Sequence, residues 1–289
     1  WFHKPETPTI VLLTQKNGPN QLKQSIENHY SRKNFRESLR LSLEFIEFVE
    51  NCNTKVSSDG ERKQDPYSNP NKLTSTRDML EIAARSALRL GNVEIAVKCV
   101  DKLVSNEPGH IYFRGMVYAK GGRYADSIRH LIKYNQMRKN DYKTWKEIGN
   151  TFLSCYHTLF AKKDSEQFPI YKPDTTLKNT FITQISLLSF HRALNIMTIS
   201  EWSDSVSFVY SRFTREKAKI ERLINDLEEE GVVKEEAYVF GGSDEPDSKI
   251  DLEKLGFEGE MIKYILMECR ASVNSERMAE EQEKSAGQL

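Results

Sequence analysis

Two stretches of this chain repeat one another at a fixed offset. Ile111, Gly115 and Tyr118 are each followed, 34 residues later, by Trp145, Gly149 and Phe152. Self-similarity at such a period constrains the fold more than any other feature, because a unit of that size cannot bury its own apolar face. It must stack on a neighbour. Within each unit the apolar residue, the glycine and the aromatic fall at helical spacing, so they share one helix face. The glycine lets two antiparallel helices approach where a Cβ would hold them apart, and the aromatics fill the groove beside it.

The segment "GGRYADSI" at 121–128 then reads as a turn between helices. Gly121 or Gly122 ends the first helix in a left-handed conformation, Tyr124 closes over the core, and a small residue three places on lies against the facing helix. The pattern extends upstream through 77–108, where Gly91 is the turn, Ala84 the close-packing position, Ala96 the small residue and Pro108 the closing proline. Over 21–49, "KNF" at 33–35 stands at the turn and Ser38 at the small position. Leu39, Leu43, Ile46 and Phe48 or Val49 supply an apolar stripe there.

These residues resemble the tetratricopeptide repeat (TPR), a helix–turn–helix unit of about 34 residues. The resemblance implies an all-α fold, a TPR-like helical-hairpin solenoid followed by long C-terminal capping helices. The order of elements also resembles an uncharacterised animal TPR family named after a chromosome 8 open reading frame. That resemblance rests on the Trp1–Phe2 start, the degenerate repeats and the late "FHRALNIM" and "SVSFVYSRFTREKAKIERLI" segments, and it implies no particular activity.

The expected organisation has an N-terminal segment over 1–20 and repeats over 21–160, the latter broken by a polar insertion at 51–72. A loop follows over 161–179, with Pro169 and Pro173 opposing a helix. Two helices are expected in 180–230, near 180–198 and 203–230. In the second, Val206, Val209, Phe213, Ala218, Ile220, Leu223, Ile224 and Leu227 track one face, and alternating charges lace the other. An acidic loop over 231–249 precedes a terminal helix in 250–272 with Met261, Tyr264, Ile265 and Cys269 on one face. A disordered tail over 273–289 ends the chain.

No catalytic pattern is present. The six histidines form no HxxxH or HExxH pair, and no phosphate-binding glycine loop or nucleophile elbow occurs. The four cysteines lie far apart, without metal-ligand spacing. The expectation is therefore a non-enzyme with no catalytic residue, no metal, no other cofactor and no small-molecule substrate. No apolar run is long enough to span a bilayer, so no membrane association is expected. Scattered cysteines without glycosylation sequons point to the cytoplasm or nucleus.

Net charge is zero, but its distribution is uneven. From Arg114 to Lys172 there are twelve Lys and Arg against five Asp and Glu, and from Glu221 to Glu260 fourteen acids face four bases. The acidic segment either folds back on the basic one or leaves it open to a partner. TPR units bind extended peptides or helices along the face of their first helices. In the unit beginning near Tyr142 the resemblance places Lys143, Lys146, Glu147, Asn150 and Leu153 there. Lys143, Lys146 and Asn150 resemble part of a carboxylate clamp. The preceding unit contributes apolar Tyr112, Phe113 and Met116, with Lys120 at the end of its helix, so an apolar-plus-basic groove for a protein partner is the favoured site. The alternative is RNA association through 114–172, with Tyr118, Tyr124, Tyr134, Tyr142 and Trp145 interleaved among the charges.

Overall fold

The computed structural model describes residues 9–15, 17–58, 76–161, 181–200, 206–229, 231–232, 252 and 254–270. Among these residues the chain is all α. In order it forms α1 (Thr9–Thr14), α2 (Gly18–Ser31), α3 (Phe35–Ser58), α4 (Arg77–Arg89), α5 (Val93–Lys102), α6 (Pro108–Lys120), α7 (Tyr124–Met137), α8 (Tyr142–Ala161), α9 (Phe181–Ile199), α10 (Ser207–Glu229) and α11 (259–270). It divides into two compact units, Trp1–His110 and Ile111–Leu289, with the division inside α6.

One turn chemistry sets the hairpins. Gly91 after α4 and Gly122 after α6 have φ of 75° and 72°, a conformation that costs a glycine little and an L side chain much more. The next N–H reaches back to close the helix end: Asn92 donates to the Ala87 carbonyl at 2.8 Å and Arg123 to the Tyr118 carbonyl at 2.9 Å. After α2 the same geometry recurs on a lysine, Lys33 at φ 62°, with Asn34 donating to the His29 carbonyl at 2.8 Å. Two residues beyond each of these positions a helix begins, at Phe35, Val93 and Tyr124. Its fourth residue is the expected small one, Ser38, Ala96 or Ser127, each wholly buried.

In the first unit α1 lies on α2 and α3, and α3 packs on α4, which pairs with α5. Leu22, Ile26, Leu41, Phe45, Met79, Ala83, Ala84 and Val100 fill the interior. Small hydroxyls let α2, α3 and α4 approach: the Ser38 hydroxyl donates to the Ile26 carbonyl at 3.3 Å and the Ser86 hydroxyl donates to Ser38 Oγ at 3.3 Å. Two boundaries differ from expectation. α2 starts at Gly18, before residue 21, and α3 runs eight residues into the expected insertion, to Ser58. The remainder of that insertion, 59–72, lies outside the described residues.

The second unit is built round one apolar core to which α7, α8, α9, α10 and α11 all contribute, with Trp145, Phe152, Phe190 and Phe257 at its centre. α8 pairs with α9. A Cβ on Gly115 would stand 3.0 Å from Leu131 on α7, and one on Gly149 would stand 2.6 Å from the Phe190 ring on α9. Four residues before each contact comes a wholly buried serine, Ser127 and Ser186. The repeat pattern fades from the sequence after Cys155, yet α9 meets α8 as α7 meets α6. Of the loop expected over 161–179, Ala161 ends α8 and the remainder lies within 162–180, outside the described residues.

α10 packs on α9 through Ile220, Ile224 and Leu227. Its expected apolar face is only partly used, since Val206 and Ala218 are exposed. α11 returns across the earlier helices: Phe257, just ahead of it, stacks on Phe152 of α8 at 5.2 Å, and the Asn135 side chain on α7 donates to the Tyr264 hydroxyl at 2.9 Å. Met261, Ile265 and Cys269 are buried as expected and Tyr264 is half-buried. Of the acidic loop expected over 231–249, Gly231 and the buried Val232 are described; 233–249, the tail 273–289 and 1–8 of the N-terminal segment lie outside the described residues.

Candidate functional site

The candidate face is formed by α6 and α8, the first helices of two successive pairs. Pro108 opens α6 at a position where its missing N–H costs nothing. Asp141 caps α8, its carboxylate accepting from the Lys143 N–H at 3.0 Å. The 34-residue offset puts Tyr112 and Lys146, Met116 and Asn150 in corresponding positions.

Tyr112 is half-buried, with its ring 5.0 Å from that of Tyr134. Tyr134 in turn donates its hydroxyl to Asp141 at 2.8 Å. Burial is the main cause pushing the Tyr112 phenol well above its usual range, and the charges of Glu147 and Asp141 add to it. Glu147 is half-buried, and burial pushes its carboxyl up. Lys146, a hydrogen bond from Asn150, and Lys120 pull it back. Tyr112, Lys120, Glu147 and Asn150 therefore share one electrostatic neighbourhood. Met116 is half-buried, and Lys120 and Lys143 are exposed.

Two of the expected site residues are placed differently. Phe113 is 5 % exposed and belongs to the packed interior, because it falls on the same buried side of α6 as Val117. Lys146 is committed inside the molecule: its Nζ lies 3.1 Å from a Glu216 carboxylate oxygen on α10, with only 20 % and 15 % of the two side chains exposed. Glu216 is held at about 2, well below the ordinary carboxylate range, chiefly by a hydrogen bond from Lys219 and also by Lys146. A complete carboxylate clamp on α8 is thus pre-empted by the chain's own acid. Glu216 lies 70 residues from Lys146, and no periodicity links the two in sequence.

The acidic and basic stretches do meet among the described residues. Arg129 pairs with Glu258 at 2.8 Å and with Asp126 at 2.6 Å, and Arg123 with Asp126 at 2.7 Å. Lys139 and Lys143 are exposed and have no ion pair among the described residues. No group of three His, Cys, Asp or Glu there is arranged to hold a metal ion. No described helix is long and apolar enough to cross a membrane. No family model, curated protein or solved structure matches this chain.

Proposed function

We propose that the chain is a non-catalytic adaptor of the TPR kind, whose α6–α8 face holds a segment of a protein partner. The observation that carries this reading is the composition of that face. Tyr112 and Met116 offer partly exposed apolar surface beside exposed Lys120 and Lys143 and beside Asn150, whose side chain also bonds Glu147. Such a mixture suits an internal peptide or helix with both apolar and acidic side chains. It does not suit a free carboxylate terminus, because Lys146 is engaged by Glu216. The RNA alternative draws on the same stretch, but Arg123, Arg129 and Lys146 are already committed to carboxylates. Three buried free thiols, Cys99, Cys155 and Cys269, support a reducing compartment, the cytoplasm or nucleus.

The test is recovery of bound proteins from cells with wild type, Lys120→Glu/Lys143→Glu and Met116→Ala, with and without nuclease. Loss of the same partner from both variants, at unchanged thermal stability, supports the groove. An unchanged partner list overturns it, and partners lost only on nuclease treatment favour the nucleic-acid reading.

A further inference from the structure

On the outward side of α10 the charges are segregated along the helix: the exposed cations lie on one line ahead of the last two turns, where exposed Asp226, Glu228 and Glu229 follow. Phe208, Arg212, Arg215, Lys219 and Arg222 follow one another in steps of four, three, four and three residues, and all five are exposed. That spacing places them on one line along the helix, about 21 Å long at a rise of 1.5 Å per residue. The buried stripe Ile220, Ile224 and Leu227 anchors the C-terminal half of the same helix to the core. Lys219 shares Glu216 at 2.8 Å. Arg212, Arg215 and Arg222 have no carboxylate at ion-pair distance among the described residues; Arg212 lies near enough to Tyr142 for its charge to act on the phenol.

The N-terminal end of this line is apolar and open. Phe208 is 73 % exposed, Tyr210 50 % and Val206 48 %. Aromatic and arginine side chains together are the composition of interface hot spots. The mean step of three and a half residues is the one at which a second helix presents its own facing side chains. Val206 suits burial against apolar side chains of a protein, as the exposed faces of Phe208 and Tyr210 do. Carboxylates already reach cations from neighbouring elements in this molecule, at Lys146–Glu216 and Arg129–Glu258.

We propose that the Phe208–Arg222 line of α10 docks an acidic amphipathic helix of a partner protein. Its carboxylates face Arg212, Arg215, Lys219 and Arg222, and its apolar side chains cover Phe208 and Val206. Exposed ion pairs contribute little each, so the apolar end supplies most of the affinity while the charged line sets register and speeds encounter. This surface adjoins α8, since Lys219 and Lys146 share Glu216, but none of its five residues belongs to the α6–α8 face.

The test uses the full chain and a fluorescein-labelled helical peptide with glutamates at the complementary four–three spacing and leucines at one end, read by anisotropy. The peptide should bind wild type, more weakly at high salt. It should bind Arg212→Glu/Arg215→Glu/Arg222→Glu at least about tenfold more weakly, and Phe208→Ala about threefold or more weakly. The milder Arg212→Gln/Arg215→Gln/Arg222→Gln, with an unchanged melting curve, should fall between wild type and the reversal and guards against misfolding. Lys98→Glu, a charge reversal on exposed α5 outside both faces, should bind as wild type does. Equal binding by wild type and the arginine variants overturns the proposal, as does loss of the peptide only in the Lys98 variant. Tighter binding of oligouridine RNA than of the peptide, abolished by the arginine changes, overturns it in favour of a phosphate backbone.

Discussion

Gly149 on α8 and Phe190 on α9 meet so closely that a methyl group on the glycine would stand 2.6, 2.8 and 2.9 Å from three ring carbons. The ring is wholly buried, so it has no open space into which to swing. At Gly115 the corresponding contacts are looser, 3.0 Å to both Cδ2 and Cγ of Leu131, which is itself wholly buried.

Gly149→Ala should therefore destabilise the protein by about 1–3 kcal/mol, as overpacking does, and Gly115→Ala by less. Adding Phe190→Leu to Gly149→Ala should recover part of the loss. Chemical denaturation of the two single variants and the double variant checks this, and simple additivity would show that the two residues are not coupled.

Lys33 carries the left-handed turn that glycine carries after α4 and α6. Lys33→Gly should stabilise the protein by about 0.5–1 kcal/mol, the strain released less the extra chain entropy lost. Gly122→Ala should cost about 1 kcal/mol by the reverse argument. Melting temperatures of both variants, moving in opposite directions, are the expected result.

Glu216, held chiefly by Lys219 on its own helix and also by Lys146 on α8, makes stability pH dependent. Because the folded state lowers the Glu216 value to about 2, its contribution is complete above the ordinary carboxylate range, near pH 4.5, and declines as pH falls towards 2. Between pH 5 and pH 2, Glu216→Gln should lose less stability than wild type. Equal slopes for the two proteins would show that this carboxylate is not held as described.

Burial raises the Cys99 and Cys155 thiols to about 11 in each case. Since the thiolate is the reactive form, both should resist a disulfide reagent at pH 8 in the native protein and react fully once unfolded. Mass spectrometry of labelled peptides distinguishes them from the other cysteines. Labelling of either at the rate of a free thiol would show that its helix opens readily.

The hairpins were legible in sequence wherever their connections are short. Gly91, Gly122 and the 34-residue offset of Gly115 and Gly149 identify turns and close approaches, because each answers a steric demand that few other residues meet. The partner of α8 was not legible. Gly115 and Leu131 stand sixteen residues apart, Gly149 and Phe190 forty-one, and the added connection removes α9 from the register on which the repeat reading depends. The site was legible only in part. Helical spacing aligned Tyr112, Met116 and Lys120 on α6, and the repeat resemblance added Asn150 on α8, but the burial of Phe113 depends on which side of α6 is packed. The loss of Lys146 to Glu216 depends on a helix 70 residues away. The line on α10 is written plainly in the spacing of its residues, yet only the burial of Ile220, Ile224 and Leu227 shows which side faces outward.

The separation of Gly149 from Phe190 has a consequence during synthesis. A ribosome adding about 5–20 residues per second needs roughly 2–8 s to reach Phe190 after Gly149 has been made. For that interval Trp145 and Phe152 lack the helix that covers them in the finished core, whereas Gly115 gains Leu131 in less than half the time. The nascent chain is thus most open to chaperones, and to faulty association, while it holds a completed α8 and no α9.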